Sequence, residues 1–354
     1  MTLHNNLINL LQRQCKKDPF IPFDLFMQRA LYEPHMGYYM QERNPFGNEG
    51  DFITSPMISS LFGKVIHSVI QKQLPHNNCL AEIGPGLGHL CLSILKESPF
   101  TTYLIEKNPH LEHQQKILFK TLTKSQTDAI HWVNQLPKNY EGALITHELF
   151  DAFPVHRVVV KNNTYHEIGV SVTDQGSLKE VYRPCDDNLL SICHRRGIPL
   201  LEGYKAEIST SIEPWISALS KQVRKSFWVL IDYGYERHQL YHPCRDKGTL
   251  RSYHKHQEVT NNWSWLGEQD ITASVDFDLI LETCVENGWT VNYFGPQHEF
   301  LAQNGIDLYV NQYAETDKFM DIANQCKQLM MEPLGNVMKV ALLSKGTTER
   351  NDFT

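Results

Sequence analysis

The chain has 354 residues, of which 41% are hydrophobic and 21% charged. That composition is globular and allows about two domains with a sizeable core, so it excludes a disordered chain and a small disulfide scaffold. Lys and Arg number 33 against 40 Asp and Glu, a formal net charge of −7, which argues against general nucleic-acid binding because a phosphate-tracking surface needs an excess of cations.

No stretch approaches the roughly 18 consecutive apolar residues of a membrane span, so no membrane insertion is expected. The first residues lack the basic-then-apolar order of a secretory signal. Arg13, Lys16 and Lys17 precede the first acid, Asp18. A mitochondrial presequence has a similar pattern; the reading adopted is an amphipathic first helix with Leu3, Leu7, Leu10 and Leu11 on one face. Helical pattern dominates residues 3–31, a Gly/Pro-punctuated loop spans 32–56, and 58–74 again has helical period. Strands and helices then alternate: strand 79–83, helix 90–96, strand 103–105, helix 111–122, and strands 130–133 and 142–146. Residues 155–225 interrupt this rhythm with a predicted hairpin, 158–160 and 165–172 around Asn162-Asn163. A strand at 228–231 follows, then an irregular stretch 235–273, a helix 277–287, a segment 290–293 and a final strand 337–343.

This order predicts an α/β fold with a mostly parallel sheet assembled from non-contiguous pieces. The expected divisions are a helical segment with a covering loop (1–56), a core (57–154), an insertion over the ligand edge of the sheet (155–225), the rest of the core with a substrate-side loop (226–345), and a tail (346–354). The eight cysteines, at 15, 79, 91, 185, 193, 244, 284 and 326, contain no CxxC pair, which reads as reduced thiols in a cytosolic protein.

The central motif is Glu82-Ile83-Gly84-Pro85-Gly86-Leu87-Gly88, an apolar strand running into a glycine turn that opens a helix. The spacing is GxGxG, not the GxGxxG of dinucleotide sites. Glu82, two residues before the first glycine, would repel a pyrophosphate but suits an ammonium. S-adenosylmethionine carries an ammonium and no phosphate, and Gly84, Gly86 and Gly88 let backbone approach its methionine portion. Glu106 closes the next strand, where a carboxylate can accept both ribose hydroxyls. Competing readings are a purely structural glycine turn and a nicotinamide or flavin site. Asn134, after the third strand, is a candidate reader of the adenine amino group.

The fourth strand ends in His147-Glu148-Leu149-Phe150-Asp151. In an open parallel sheet, ligands bind outside the carboxyl ends of the strands, so this segment is expected to face the transferred methyl. Glu148 and Asp151 can clamp a guanidinium by two-pronged hydrogen bonds and take up its proton as reaction proceeds. The alternative for both is a capped helix start. His238, His242, Cys244, His254 and His256 crowd one segment, but their spacing fits no common zinc pattern, and no metal is expected. Arg245, Lys247, Arg251 and Lys255 make that loop locally basic.

Further blocks occur in order: Ala30-Leu31-Tyr32-Glu33-Pro34, Gly37-Tyr38-Tyr39, Gly50-Asp51-Phe52-Ile53-Thr54-Ser55-Pro56, Leu61-Phe62-Gly63, Glu106-Lys107-Asn108-Pro109, Asp232-Tyr233-Gly234 and Gly248-Thr249-Leu250-Arg251. With the glycine and Glu148–Asp151 motifs, they resemble the MidA family of S-adenosylmethionine-dependent methyltransferases over about residues 15 to 345. The resemblance implies a class I methyltransferase (Rossmann-like) fold with inserted substrate-side elements and S-adenosyl-L-methionine as cofactor. It implies that Gly50, Asp51, Phe52 and Thr54 lie over the cofactor, with Pro85 in the glycine turn. It also implies a protein substrate bearing an arginine, such as a respiratory complex I subunit. His147 stands where the family usually has Asn, and Leu87 where it has Arg or Thr. A bacterial cytosolic homologue is the expected setting, with the mitochondrial matrix as the alternative.

Overall fold

The computed structural model describes residues 3–42, 54–255, 257–259, 263–331 and 334–346. The helical pattern expected over 3–31 breaks in two, α1 (Leu3–Cys15) and α2 (Phe23–Tyr32), with the short strand β1 (Ile21–Pro22) between them. Pro19 and Pro22 remove backbone donors from any continuous helix there. Instead Ile21 and Pro22 pair with Val170 and Gly169.

After α3 (Ser55–Ile58), α4 (Ser60–Gln73) buries Leu61, Phe62, Val65, Ile66, Val69 and Ile70, the i, i+3/i+4 stripe of an amphipathic helix. The alternation then runs β2 (Cys79–Ile83), α5 (His89–Glu97), β3 (Thr101–Ile105), α6 (Pro109–Leu118), α7 (Lys124–Asp128), β4 (Ile130–Trp132) and β5 (Tyr140–His147).

The interruption folds into β6 (His156–Lys161), β7 (Thr164–Val172), β8 (Leu178–Pro184), α8 (Asp187–Arg195), β9 (Lys205–Ile208) and α9 (Ile212–Gln222). Asn162 and Asn163, both at positive φ, turn β6 into β7. The order β1-β7-β6-β9, with β8 beside β7, is an antiparallel five-stranded sheet.

The chain re-enters the main sheet through β10 (Val223–Tyr235), followed by α10 (Arg237–Leu240). The stretch read as irregular holds a small sheet of β11 (Arg251–His254), β12 (Gln257–Glu258) and β13 (Asp270–Thr272). Then come β14 (Val275–Asp276), α11 (Phe277–Glu286), β15 (Thr290–Pro296), α12 (Gln297–Gln303), α13 (Ile306–Asn311), α14 (Phe319–Met330), α15 (Leu334–Val337) and β16 (Met338–Lys345).

The main sheet has the order β15-β16-β10-β5-β2-β3-β4, with β14 beside the end of β10. It is mixed: β4, β3, β2, β5, β10 and β14 run parallel to their neighbours, while β16 is antiparallel to both β10 and β15. Both faces are covered, so its strands are continuous apolar runs. Leu80, Ala143, Ile145, Val229 and Ile231 face a core with α4 and α5. The alternate residues Ala81, Leu144, Trp228 and Leu230 face a second core with α9 and α11. Chain order reverses beside β2: β3 and β4 are laid down on one side and β5 on the other. That switch point opens a crevice beyond the strand ends, between the glycine turn and residues 147–151.

Candidate functional site

Gly84, Gly86 and Gly88 all take positive φ. At Gly88, the residue that starts α5, φ is +84°, and a Cβ would lie 2.8 Å from the Phe119 ring. This glycine therefore lets the ring pack against the turn, and it lines neither of the two cavities described below. Without a side chain, Gly88 cannot cap α5. The carboxylate of Glu82 faces the Cys91 N–H of the first helical turn, which partly offsets the upward push of burial on its pKa. Glu82 is 2% exposed and its Oε2 has no partner; burial pushes its pKa up to about 8.

Glu106, at the end of β3, accepts the Asn108 N–H at 2.8 Å; burial raises its pKa to about 7. Gln115 from α6 connects this acid to the glycine turn, its Nε2 donating to the Gly86 carbonyl at 2.6 Å and lying 3.5 Å from Glu106 Oε2. The Trp132 indole donates to Gln115 Oε1 at 2.8 Å and fixes the amide's orientation. Asn108 reaches across to the carbonyls of Tyr39 and Gln41. No local motif marks Gln115; only the fold brings it under the turn. Asn134 is exposed and lines neither cavity. The strand before it has only three residues, and its pairing ends where Val133 N–H meets the Leu104 carbonyl.

Glu148 leaves β5 at φ +50°, a left-handed backbone that is uncommon for a residue with a side chain. Asp232, fully buried at the end of β10, holds this turn, its carboxylate accepting the N–H groups of Leu149 (3.0 Å), Phe150 (2.7 Å) and Tyr233 (2.8 Å). Asp151 and Asp270 are 7% and 1% exposed beside it. Burial first, then repulsion from Asp232 and Asp270, pushes Glu148 up to about 8; burial and the same neighbours push Asp151 well above the carboxylate range. His147 edges against Phe62, and burial lowers its pKa to about 3, which keeps the imidazole neutral. Its Nε2 lies 3.7 Å from Glu148 Oε1, and neither atom has a hydrogen-bond partner.

Two cavities meet at Tyr39, Gly84, Gly86 and Glu148, which line both. The larger, about 370 Å³, is bounded by Thr54, Glu82, Pro85, His147, Asp151, Tyr233, Thr249, Arg251 and Asp270. The smaller, about 310 Å³, holds Glu106 among Tyr32, Ile105, Phe153 and Trp215. Of the expected site residues, Gly50, Asp51 and Phe52 lie outside the described residues. Tyr39, Gln115, Asp232 and Asp270 were not singled out from the sequence as site residues. Asp232 and Tyr39 did have a signal in the Asp232-Tyr233-Gly234 and Gly37-Tyr38-Tyr39 blocks; Asp270 had none.

Among the described residues, His238, His242, Cys244 and His254 form no ligand group. One His/Asp/Glu group does come together, Asp24, His156 and Glu167. There the imidazole points one nitrogen at each acid, and Arg183 also pairs with Glu167 at 2.7 Å, which is the pattern of an ion-pair cluster. No helix among the described residues is long and apolar enough to cross a membrane.

A family profile described as "Putative S-adenosyl-L-methionine-dependent methyltransferase" matches residues 61–295. The mitochondrial protein arginine methyltransferase NDUFAF7 homolog of Drosophila melanogaster is 26% identical over 340 residues, covering 84% of this chain and 74% of its own. The Caenorhabditis elegans homolog is 27% identical over 322 residues, covering 80% and 72%. Among solved structures, a Burkholderia thailandensis protein bound to S-adenosyl-homocysteine superposes with a TM-score of 0.93 at 26% identity, over 99% of this chain and 95% of that one.

Proposed function

Because this chain belongs to the MidA family of S-adenosylmethionine-dependent methyltransferases, its cofactor is S-adenosylmethionine, and we propose that it places the cofactor's methyl group on an arginine side chain of a protein. The fold is read as the class I methyltransferase type. The observation that carries the proposal is chemical. Three buried polar atoms without partners, Glu82 Oε2, His147 Nε2 and Glu148 Oε1, belong to residues lining one cavity, together with Asp151 and Asp270. Buried acceptors left unpaired are costly, and this set suits cations.

The cofactor supplies an electrophilic methyl on a sulfonium. Glu82 fits its ammonium, Gly84, Pro85 and Gly86 offer backbone beside it, and Glu106 fits the ribose hydroxyls in the smaller cavity. Glu148 lines both cavities and so stands where the two halves of the site join. With Asp151 it can accept the N–H groups of a guanidinium, whose charge lowers the carboxyl pKa values that burial has raised. The clamp orients one nitrogen and takes up the proton the product releases. His147, neutral, offers a hydrogen bond without adding charge. The relatives' named activity supports arginine as the acceptor, and a respiratory complex I subunit is one candidate protein.

The test is tritiated methyl transfer to proteins of a lysate lacking this gene, followed by peptide mapping. Label on arginine in a discrete protein is expected. Label confined to metabolites favours a small-molecule acceptor, and S-adenosylhomocysteine binding without any label favours a non-catalytic assembly chaperone.

A further inference from the structure

The inserted sheet contains a buried acid that takes no part in the chemistry above. Glu207, in β9, is 8% exposed and lines neither cavity. Its Oε2 accepts the Thr249 N–H at 2.6 Å and the Thr249 hydroxyl at 3.3 Å. The same hydroxyl oxygen accepts the Ser274 N–H at 3.1 Å. The preceding residue, Ala273, donates its N–H to the Asp151 carbonyl at 2.9 Å. Thr249, Ala273, Ser274 and Asp151 all line the larger cavity. One carboxylate outside the cavity thus holds a wall made from two separate loops.

The local sequence is adapted to that contact. Gly248 has φ +75°, and a Cβ there would sit 2.5 Å from both Glu207 oxygens, so the turn accepts the acid only because residue 248 has no side chain. Behind Glu207, the Nε of the buried Arg157 lies 3.7 Å from Oε1, while its Nη1 donates to Glu180 at 2.6 Å. The Arg157 guanidinium also sits over the Phe23 ring of α2, 4.9 Å from its centroid. Arg157 Nε and Glu207 Oε1 attract as an ion pair without a hydrogen bond, and a charged carboxylate accepts stronger hydrogen bonds than a neutral acceptor.

We propose that Glu207 is a positioning residue for methyl transfer: from the inserted sheet it fixes the Gly248-Thr249 turn, and through Thr249 and Ser274 it sets the acceptor-side wall of the larger cavity. This rests on reading the Glu148 and Asp151 side of that cavity as the acceptor site. The glycine turn and Glu106 take no part in the relay, so cofactor binding is separable from it.

The experiment combines residue-resolved amide hydrogen exchange, calorimetry with S-adenosylhomocysteine, and the tritium assay. Glu207→Ala is expected to speed exchange at the Thr249 amide and lower label incorporation, each at least tenfold, with S-adenosylhomocysteine Kd unchanged within twofold. Glu207→Gln keeps an acceptor oxygen and recovers most of both losses. Glu207→Ala also removes one of the two acids beside the buried Arg157. Should that variant not fold, Thr249→Val decides: Ser274 exchange rises while the Thr249 amide stays protected by Glu207. Unchanged exchange in these variants overturns the proposal, and so does a cofactor affinity that falls as steeply as the label. If the wild type labels no protein, the acceptor reading fails, and the exchange measurements still decide whether Glu207 holds the wall.

Discussion

Glu148→Gln tests the electrostatics of the site without needing its acceptor. The substitution preserves shape and removes one ionisable group. In the folded protein, burial together with Asp232 and Asp270 raises the Glu148 carboxyl from 4.5 to about 8. Below pH 4.5 the carboxyl is protonated in both folded and unfolded chains, and folding costs nothing on its account. Between 4.5 and 8 the unfolded chain releases the proton while the folded one keeps it, so stability falls as pH rises; above 8 the penalty is complete. At 1.36 kcal/mol per pH unit, wild type loses about 3 kcal/mol between pH 5 and pH 7.5 that the glutamine variant does not lose. Urea melts of cofactor-free protein at the two pH values measure this directly. The stability of Glu148→Gln relative to wild type is expected to rise by about 3 kcal/mol from pH 5 to pH 7.5. A difference flat to within about 0.5 kcal/mol would show that Glu148 is solvated or already paired, and the cation-seeking description of the cavity would fall.

The other expectations are simpler. Glu106→Ala removes charge-assisted hydrogen bonds worth roughly 1.5–3 kcal/mol each, so S-adenosylhomocysteine should bind at least tenfold more weakly by calorimetry; an unaltered Kd refutes the ribose role. Gln115→Leu leaves the Gly86 carbonyl and the Trp132 indole without their partner and should weaken the same ligand about as much. Strong binding retained in that variant would mean the bridge is only structural. Gly88→Ala places a Cβ at φ +84° and 2.8 Å from Phe119 and should cost about 1–3 kcal/mol in a denaturant melt; neutrality would mean the ring has room to move. His147→Asn, toward the usual family residue, should leave S-adenosylhomocysteine affinity within twofold, and a larger change would place His147 on the cofactor.

The parts legible in sequence are those governed by local physics. Strand period and a glycine turn identify β2, the turn and α5 because they are contiguous and need no partner to be recognised. The Asn162-Asn163 hairpin follows from residues that tolerate positive φ. Glu82 and Glu106 stand at strand ends, and the topological rule for parallel sheets places strand ends at the ligand edge. Patterning failed where tertiary pairing overrode it. Residues 21–22 leave a helical stretch to pair with β7.

The residues proposed for the site were legible in the sequence: an acid-led glycine turn, an acid closing the next strand, and Glu148 and Asp151 after an apolar strand are all short-range patterns. Only the tertiary structure decided what perturbs them. Asp232 and Asp270 lie more than 80 residues along the chain from Glu148 and come beside it through strand order. Gln115 reaches Gly86 from α6, and Glu207 reaches Thr249 from the inserted sheet. Burial and charge coupling depend on distance in space, which one-dimensional spacing does not encode. Ionisation of the site, and the hold of Glu207 on the cavity wall at Thr249, thus belong to the fold.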